Sequence, residues 1–112
     1  MSLAITDLSG VTKAALSGRL DTSSVDRLEV SFVAGIVPKG QSTIVDLSEV
    51  SFMASLGIRM LLSVARALSR QGAKFVLYGA SDAIMDIIET TALSTIIPVA
   101  ATEADALAAV AA

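Results

Sequence analysis

Ser55, Asp21 and Asp46 are the residues of this sequence whose types could take part in chemistry. A serine acts as a nucleophile only when a neighbouring base accepts its proton, most often a histidine. The chain contains no histidine and no cysteine, which excludes a Ser-His-Asp triad, a cysteine nucleophile and the usual zinc ligands. Asp21 and Asp46 remain as acid-base groups for an enzyme, but no glycine-rich phosphate-binding motif accompanies them. The sequence therefore favours a protein that is not an enzyme and uses no cofactor or metal.

The overall composition disfavours nucleic acids and membranes as partners. The chain of 112 residues carries a net charge of -3, and only 4% of its residues are aromatic. This composition provides neither a basic surface for phosphates nor a platform for stacking bases, so we expect no direct contact with nucleic acid. The apolar segments are short and interrupted by charges, which predicts no insertion into a membrane. Neither a secretory signal nor a cysteine is visible, and we expect a cytoplasmic protein with one domain over residues 1–112.

The elements that position these residues follow from the spacing of the apolar side chains. We predict an α/β fold in the order β-β-α-β-α-β-α-β-α, with a single-layer mixed sheet and helices packed on it. The turn residues Ser9-Gly10 predict that the first two strands form an antiparallel hairpin. The predicted strands span residues 3–8, 11–18, 43–47, 75–78 and 96–99. The first predicted helix starts at Thr22 and ends before Pro38. The other predicted helices span residues 55–71, 81–93 and 102–110, and Thr102 and Asp105 form a capping pair for the last of them.

The order of these elements gathers three turns at one end of the sheet. Crossovers between parallel strands are right-handed, so the turns after the second, third and fourth strands should meet at the same rim. These turns contain residues 19–22, 48–55 and 79–81. Open α/β sheets usually bind their ligands at such a rim. The carboxylate of Asp21 and the hydroxyl of Ser55 are therefore expected to lie on one surface.

Ser55 lies where a loop changes into the second predicted helix. The structural interpretation is that its hydroxyl caps the helix by accepting a hydrogen bond from a free backbone N–H group. The functional interpretation is that a phosphate on Ser55 would be tolerated there, because the start of a helix carries partial positive charge. Gly57 lies within the first turn, where glycine is unfavourable, so something must come close to the backbone there.

The surrounding sequence resembles a known family. Residues 18–21 resemble the early loop of STAS domains, residues 44–48 the central strand, residues 52–62 the switch motif, and residues 72–75 the entry to the next strand. The STAS family is typified by bacterial anti-sigma factor antagonists. The resemblance implies that Ser55 is the phosphate acceptor and that the partner is an ATP-binding serine kinase that doubles as an anti-sigma factor. It also implies that phosphorylation ends the complex.

The second predicted helix suggests where such a partner binds. A helical projection places Arg59, Ser63, Arg66 and Arg70 on one side and the apolar core face on the other. Leu56, Met60 and Ala67 lie between these faces, where they form either a partly exposed binding strip or part of a wide buried face. From this projection and the resemblance, we predict a partner-binding site at the following residues: Asp21, Thr22, Leu56, Gly57 and Met60.

Three other functions remain open at this point. The first is a constitutive STAS subunit, for example in a stress-sensing or lipid-transport assembly, in which Ser55 is only a helix cap. The second is a module that binds a small ligand at the rim of the sheet. The third is an enzyme that uses Asp21 and Asp46, which the missing histidine and cysteine disfavour.

Overall fold

The strands and helices follow the predicted order. A computed structural model describes residues 2–111, so the two terminal residues of the predicted domain lie outside the description. The strands are β1 (Ser2–Asp7), β2 (Thr12–Leu20), β3 (Thr43–Met53), β4 (Phe75–Tyr78) and β5 (Val99–Ala100). The helices are α1 (Thr22–Ile36), α2 (Ser55–Arg70), α3 (Asp82–Thr90) and α4 (Glu103–Ala111), and the short 3-10 turns are Val37–Lys39 and Leu93–Thr95.

The five strands form one mixed sheet in the order β1-β2-β3-β4-β5. β1 pairs antiparallel with β2, and every other neighbouring pair is parallel. The hairpin turn uses positive φ angles of 56° at Ser9 and 95° at Gly10, which are the angles that two-residue hairpins require. The Leu8 N–H donates to the Val11 carbonyl at 2.7 Å and closes the turn. The predicted mixed sheet and its antiparallel hairpin are confirmed.

Three element boundaries differ from the prediction by three residues or more. β3 continues beyond Leu47 to Met53 because its second half pairs with the end of β2, with register shifts along the way. α3 ends at Thr90 because the chain turns into a left-handed conformation at Ala92, with φ 58°. β5 begins only at Val99, after Pro98, whose backbone has no N–H to donate to a sheet.

The helices cover the two faces of the sheet unequally. α1, α2 and α3 pack on one face and contribute to the main core, in which Phe32, Leu61 and Ile88 are buried. α4 packs on the other face, where Ala106 joins a small cluster with Ile44, Val76 and Tyr78. In the described part of the chain, no helix is both long and apolar enough to cross a membrane.

Candidate functional site

The ends of β2 and β3 and the start of α2 are held together at one rim of the sheet. The Ala54 N–H donates to the Leu20 carbonyl at 2.9 Å, which links the residue before α2 to the last residue of β2. On the other side of β3, Gly79 follows β4 and lies against Asp46 and Ser48. The three turns that we predicted to meet are therefore neighbours in the structure.

Ser55 is exposed and is the first residue of α2. The prediction that its hydroxyl caps the helix is wrong, because the cap position belongs to Ala54, which has an extended backbone with φ -90° and ψ 173°. An alanine side chain cannot accept a hydrogen bond, and no side chain in the described part of the chain caps this helix. The hydroxyl of Ser55 therefore does not cap the helix, and the residue is exposed at the start of α2.

The start of α2 differs from the starts of the other three α-helices. The side chains of Asp21, Ser81 and Thr102 accept capping hydrogen bonds from α1, α3 and α4, as predicted for Thr102 and Asp105. The first turn of α2 has no side-chain cap and no acidic residue. Its partial positive charge is therefore uncompensated by any side chain of the helix, and this favours an anionic group on Ser55.

Gly57 is buried against residues of its own chain. A β-carbon at this position would lie 3.1 Å from Met53 Cγ, 3.2 Å from Leu20 Cβ and 3.3 Å from the Leu20 carbonyl oxygen. Glycine thus allows α2 to approach the ends of β2 and β3 closely. This burial does not agree with the prediction that Gly57 contacts a partner. The close approach that the glycine permits is between α2 and the strand ends of its own chain.

Met60 is also a core residue, with 0% of its surface exposed. The prediction that it lies on a partly exposed strip is wrong. A projection of α2 alone omits its neighbours, and in the structure α1 packs beside α2. Leu56 is half-buried against the same core, whereas Arg59 and Ser63 are exposed. Of the three strip residues, Leu56 and Ala67 are half-buried, and Leu56 is the one next to Ser55.

Asp21 and Thr22 flank this surface at the start of α1. Asp21 Oδ1 accepts hydrogen bonds from the Ser24 N–H at 3.0 Å and from the Ser24 hydroxyl at 2.9 Å. These bonds, together with the charge of Arg19, hold the pKa of Asp21 below its usual value. Asp21 therefore has a structural role as the cap of α1, and its side chain is still 39% exposed. Thr22 is exposed beside it.

Arg19 and Phe52 form a contact that the sequence reasoning did not predict. The guanidinium carbon of Arg19 lies 4.5 Å from the centre of the Phe52 ring, within the range of a cation–π interaction. Arg19 Nε also lies 3.7 Å from Asp21 Oδ2. The pairing of Arg19 with Phe52 across β2 and β3 includes a register shift, so no local sequence pattern could have indicated it. The contact adds an exposed positive group to the rim.

The fold and this rim place the chain in the class of small mixed-sheet α/β domains with an exposed serine at the start of the second helix. The chain belongs to the STAS domain family, whose model matches residues 3–106. The anti-sigma-B factor antagonist of Listeria monocytogenes is 29% identical over 84 residues, which cover 75% of this chain and 74% of that protein.

Solved structures agree with this assignment. An anti-sigma factor antagonist from Mycobacterium paratuberculosis superposes with a TM-score of 0.89 at 27% identity, covering 99% of this chain and 94% of that chain. The Bacillus cell fate determinant SpoIIAA in its phosphorylated form superposes with a TM-score of 0.70 at 20% identity, covering 97% of this chain and 99% of that chain. At this lower identity, the second similarity shows the fold alone.

Proposed function

We propose that this chain is a cytoplasmic anti-sigma factor antagonist that binds an anti-sigma factor with serine-kinase activity. Phosphorylation of Ser55 by that partner ends the complex, and the chain itself catalyses no reaction. The observation that carries the proposal is the exposed Ser55 at the uncapped start of α2 in a STAS domain. The similar proteins that are named anti-sigma factor antagonists support the same role.

The proposed binding surface contains Ser55 and the accessible side chains around it. Asp21, Thr22 and Leu56 are exposed or half-exposed, and α2 continues this surface with Arg59. Gly57 and Met60 act indirectly, because they let α2 pack closely on the sheet and so fix the position of Ser55. The Arg19–Phe52 contact adds positive charge and an aromatic face, two features that are common at protein interfaces.

The charge of the phosphate explains how modification would end the complex. A serine hydroxyl is neutral, whereas a phosphate carries about -1.5 to -2 charges at neutral pH. At the start of α2 the free helix is not harmed by this charge, because the helix dipole favours an anion there. In the complex the phosphate would have to lose water beside the apolar Leu56, and this desolvation is costly. Phosphorylation should therefore weaken binding without unfolding the protein.

The test combines phosphorylation with affinity measurements. The chain is incubated with the candidate anti-sigma kinase and ATP, and mass spectrometry locates any phosphate. Calorimetric titration of the kinase then compares wild type with Ser55→Ala, Ser55→Asp and the control Ser63→Asp, which places the same charge on another exposed serine of α2. We expect Ser55→Asp to bind at least about tenfold more weakly, equivalent to about 1.4 kcal/mol, and the other two variants to bind like wild type.

Two results would contradict the proposal. Equal affinities for all four proteins would show that charge at Ser55 does not control the complex. A complex that persists with ATP, with no phosphate on Ser55, would indicate a constitutive STAS subunit.

A further inference from the structure

The two edges of the sheet differ in how they are protected from pairing with another strand. β5 has only two residues and follows Pro98. β1 has six residues without proline, lysine or arginine, and it pairs with β2 without a register shift. Its one charged residue is Asp7, at its end. Exposed edge strands are normally shortened, charged, kinked or covered, and β1 has little of this protection.

The geometry of the hairpin identifies the backbone groups that face outward. The bond from the Leu8 N–H to the Val11 carbonyl makes these two residues a hydrogen-bonded pair. Hydrogen-bonded and non-bonded pairs alternate along an antiparallel ladder, so Thr6, Ala4 and Ser2 direct their N–H and C=O groups toward β2. The corresponding groups of Leu3, Ile5 and Asp7 point away from the sheet, where residues 2–111 place no strand beside β1.

We propose that this edge binds β1 of a second copy of the chain, in antiparallel orientation, with the twofold axis at Ile5. In this register Leu3 of one copy faces Asp7 of the other, and Ile5 faces Ile5. All three outward residues of each strand are then hydrogen-bonded, and two five-stranded sheets join into one of ten strands. The same segment is used by both copies, as a closed twofold dimer requires.

The side chains and charges of β1 favour a second copy as the occupant. Ile5 and Leu3 are half-buried on the helix side, and Ile5 packs against Gly35 of α1. The two Ile5 side chains therefore form an apolar contact at the twofold axis, with Leu3 and Asp7 on either side of it. Ala4 and Thr6 are exposed on the opposite face, and their small side chains leave the ladder unobstructed. The two Asp7 carboxylates lie about 14 Å apart along the strands, since a residue rises about 3.4 Å, and salt screens them at that distance.

The dimer would be weak, and it would leave the proposed function intact. Two short strands bury less surface than the roughly 800 Å² per partner of a stable interface, so association should depend on concentration. The edge at β1 is separate from the rim formed by the ends of β2, β3 and β4, where Ser55 lies. Each dimer would therefore present two accessible copies of Ser55.

Two double variants that differ at one position test both the interface and its register. In the proposed dimer, residue 4 of one copy faces residue 6 of the other. Ala4→Glu with Thr6→Glu therefore places like charges opposite each other, whereas Ala4→Lys with Thr6→Glu places opposite charges there. Within one chain, Thr6 faces Lys13 in both variants, so the new glutamate has the same favourable neighbour and both proteins should fold. Thermal melts check this.

Sedimentation equilibrium from about 10 μM to 1 mM then gives the dissociation constants of the dimers. We expect wild type to dimerise, the Glu/Glu variant to associate about tenfold more weakly or worse, and the Lys/Glu variant to associate at least as well as wild type. Amide exchange at Ile5 should also become slower in wild type as its concentration rises. A wild-type monomer at 1 mM, or equal association of the two double variants, would overturn the proposal, and so would weaker association of the Lys/Glu variant than of wild type.

Discussion

Ser55 lies one residue after the cap position of α2, and this offset determines its role in the folded chain. The sequence predicts a serine at the start of α2, but the choice between the cap position and the first helical position depends on the backbone angles of Ala54. An apolar spacing pattern marks the start of a helix only to within a few residues, whereas a capping hydrogen bond requires one particular position. The structure therefore confirms that Ser55 is exposed and removes its capping role.

The first prediction compares two serines at helix starts. Ser55→Ala should change the free energy of unfolding by less than about 0.5 kcal/mol, because the hydroxyl makes no capping bond. Ser81→Ala should cost about 1 kcal/mol, because Ser81 Oγ accepts the Ile84 N–H at 3.3 Å. Urea denaturation of both variants and wild type measures the difference. A loss of about 1 kcal/mol in Ser55→Ala would mean that Ser55 caps the helix in solution.

The second prediction concerns Met60 and its neighbour Arg59. Met60→Asp should lower the free energy of unfolding by about 3 to 5 kcal/mol, because it removes a fully buried side chain and buries an unpaired carboxylate. Arg59→Asp introduces the same residue at an exposed position and should stay within about 0.5 kcal/mol. Thermal melts distinguish the two. Similar melting temperatures for both variants would show that Met60 is accessible.

At the scale of elements, the sequence predicts what is local and misses what depends on distant pairing. The Ser9-Gly10 turn and the apolar spacing of α1 are local signals, and the structure confirms both. The extension of β3 to Met53 depends on pairing with the end of β2, which no local pattern contains. Leu20 is likewise far from α2 in sequence, so no local pattern indicates that its close approach requires glycine at position 57.

A polar cluster attaches α4 to the sheet, and no local pattern predicts it because its residues are far apart in sequence. Lys13 Nζ lies 2.8 Å from Glu103 Oε1, and the Tyr78 hydroxyl donates to the same oxygen at 3.3 Å. These residues come from β2, β4 and the first turn of α4. Burial and the nearby charge of Asp46 raise the pKa of Tyr78 to about 12. The hydrogen bond between Lys13 and Glu103 raises the pKa of Lys13 and lowers that of Glu103.

The third prediction tests this attachment through its pH dependence. The pKa of Glu103 is lowered by folding, so its contribution is fully present above the unfolded value of about 4.3 and is lost as the pH falls through the folded value. Glu103→Gln should therefore melt below wild type at pH 7, and the difference should shrink below about pH 4. The control Asp105→Asn changes an exposed acid of the same helix turn and should show a smaller difference. A difference for Glu103→Gln that is independent of pH would contradict the ion pair.

At the scale of the whole molecule, the rim and the core are physically separate. The rim holds the exposed Ser55, whereas the core below it is apolar and reaches across all four helices and the central strands. The start of α2 is fixed to the sheet by the bond between Ala54 and Leu20 and by the close contact at Gly57. A charge added at Ser55 therefore meets solvent and the start of a helix, and it does not meet the core.

The last prediction follows from this separation. Phosphorylated wild type and Ser55→Asp should show unchanged amide exchange in β3 and β4, because no buried group loses a partner when Ser55 gains charge. Exchange should change only in the first turn of α2, where it should slow, since an anion stabilises the free N–H groups at a helix start. Hydrogen–deuterium exchange with mass spectrometry measures both regions, and Ser63→Asp provides a control with the same charge further along α2. Faster exchange in β3 or β4 would mean that modification acts by loosening the fold, and the weakened binding would then have a different cause from charge at the interface.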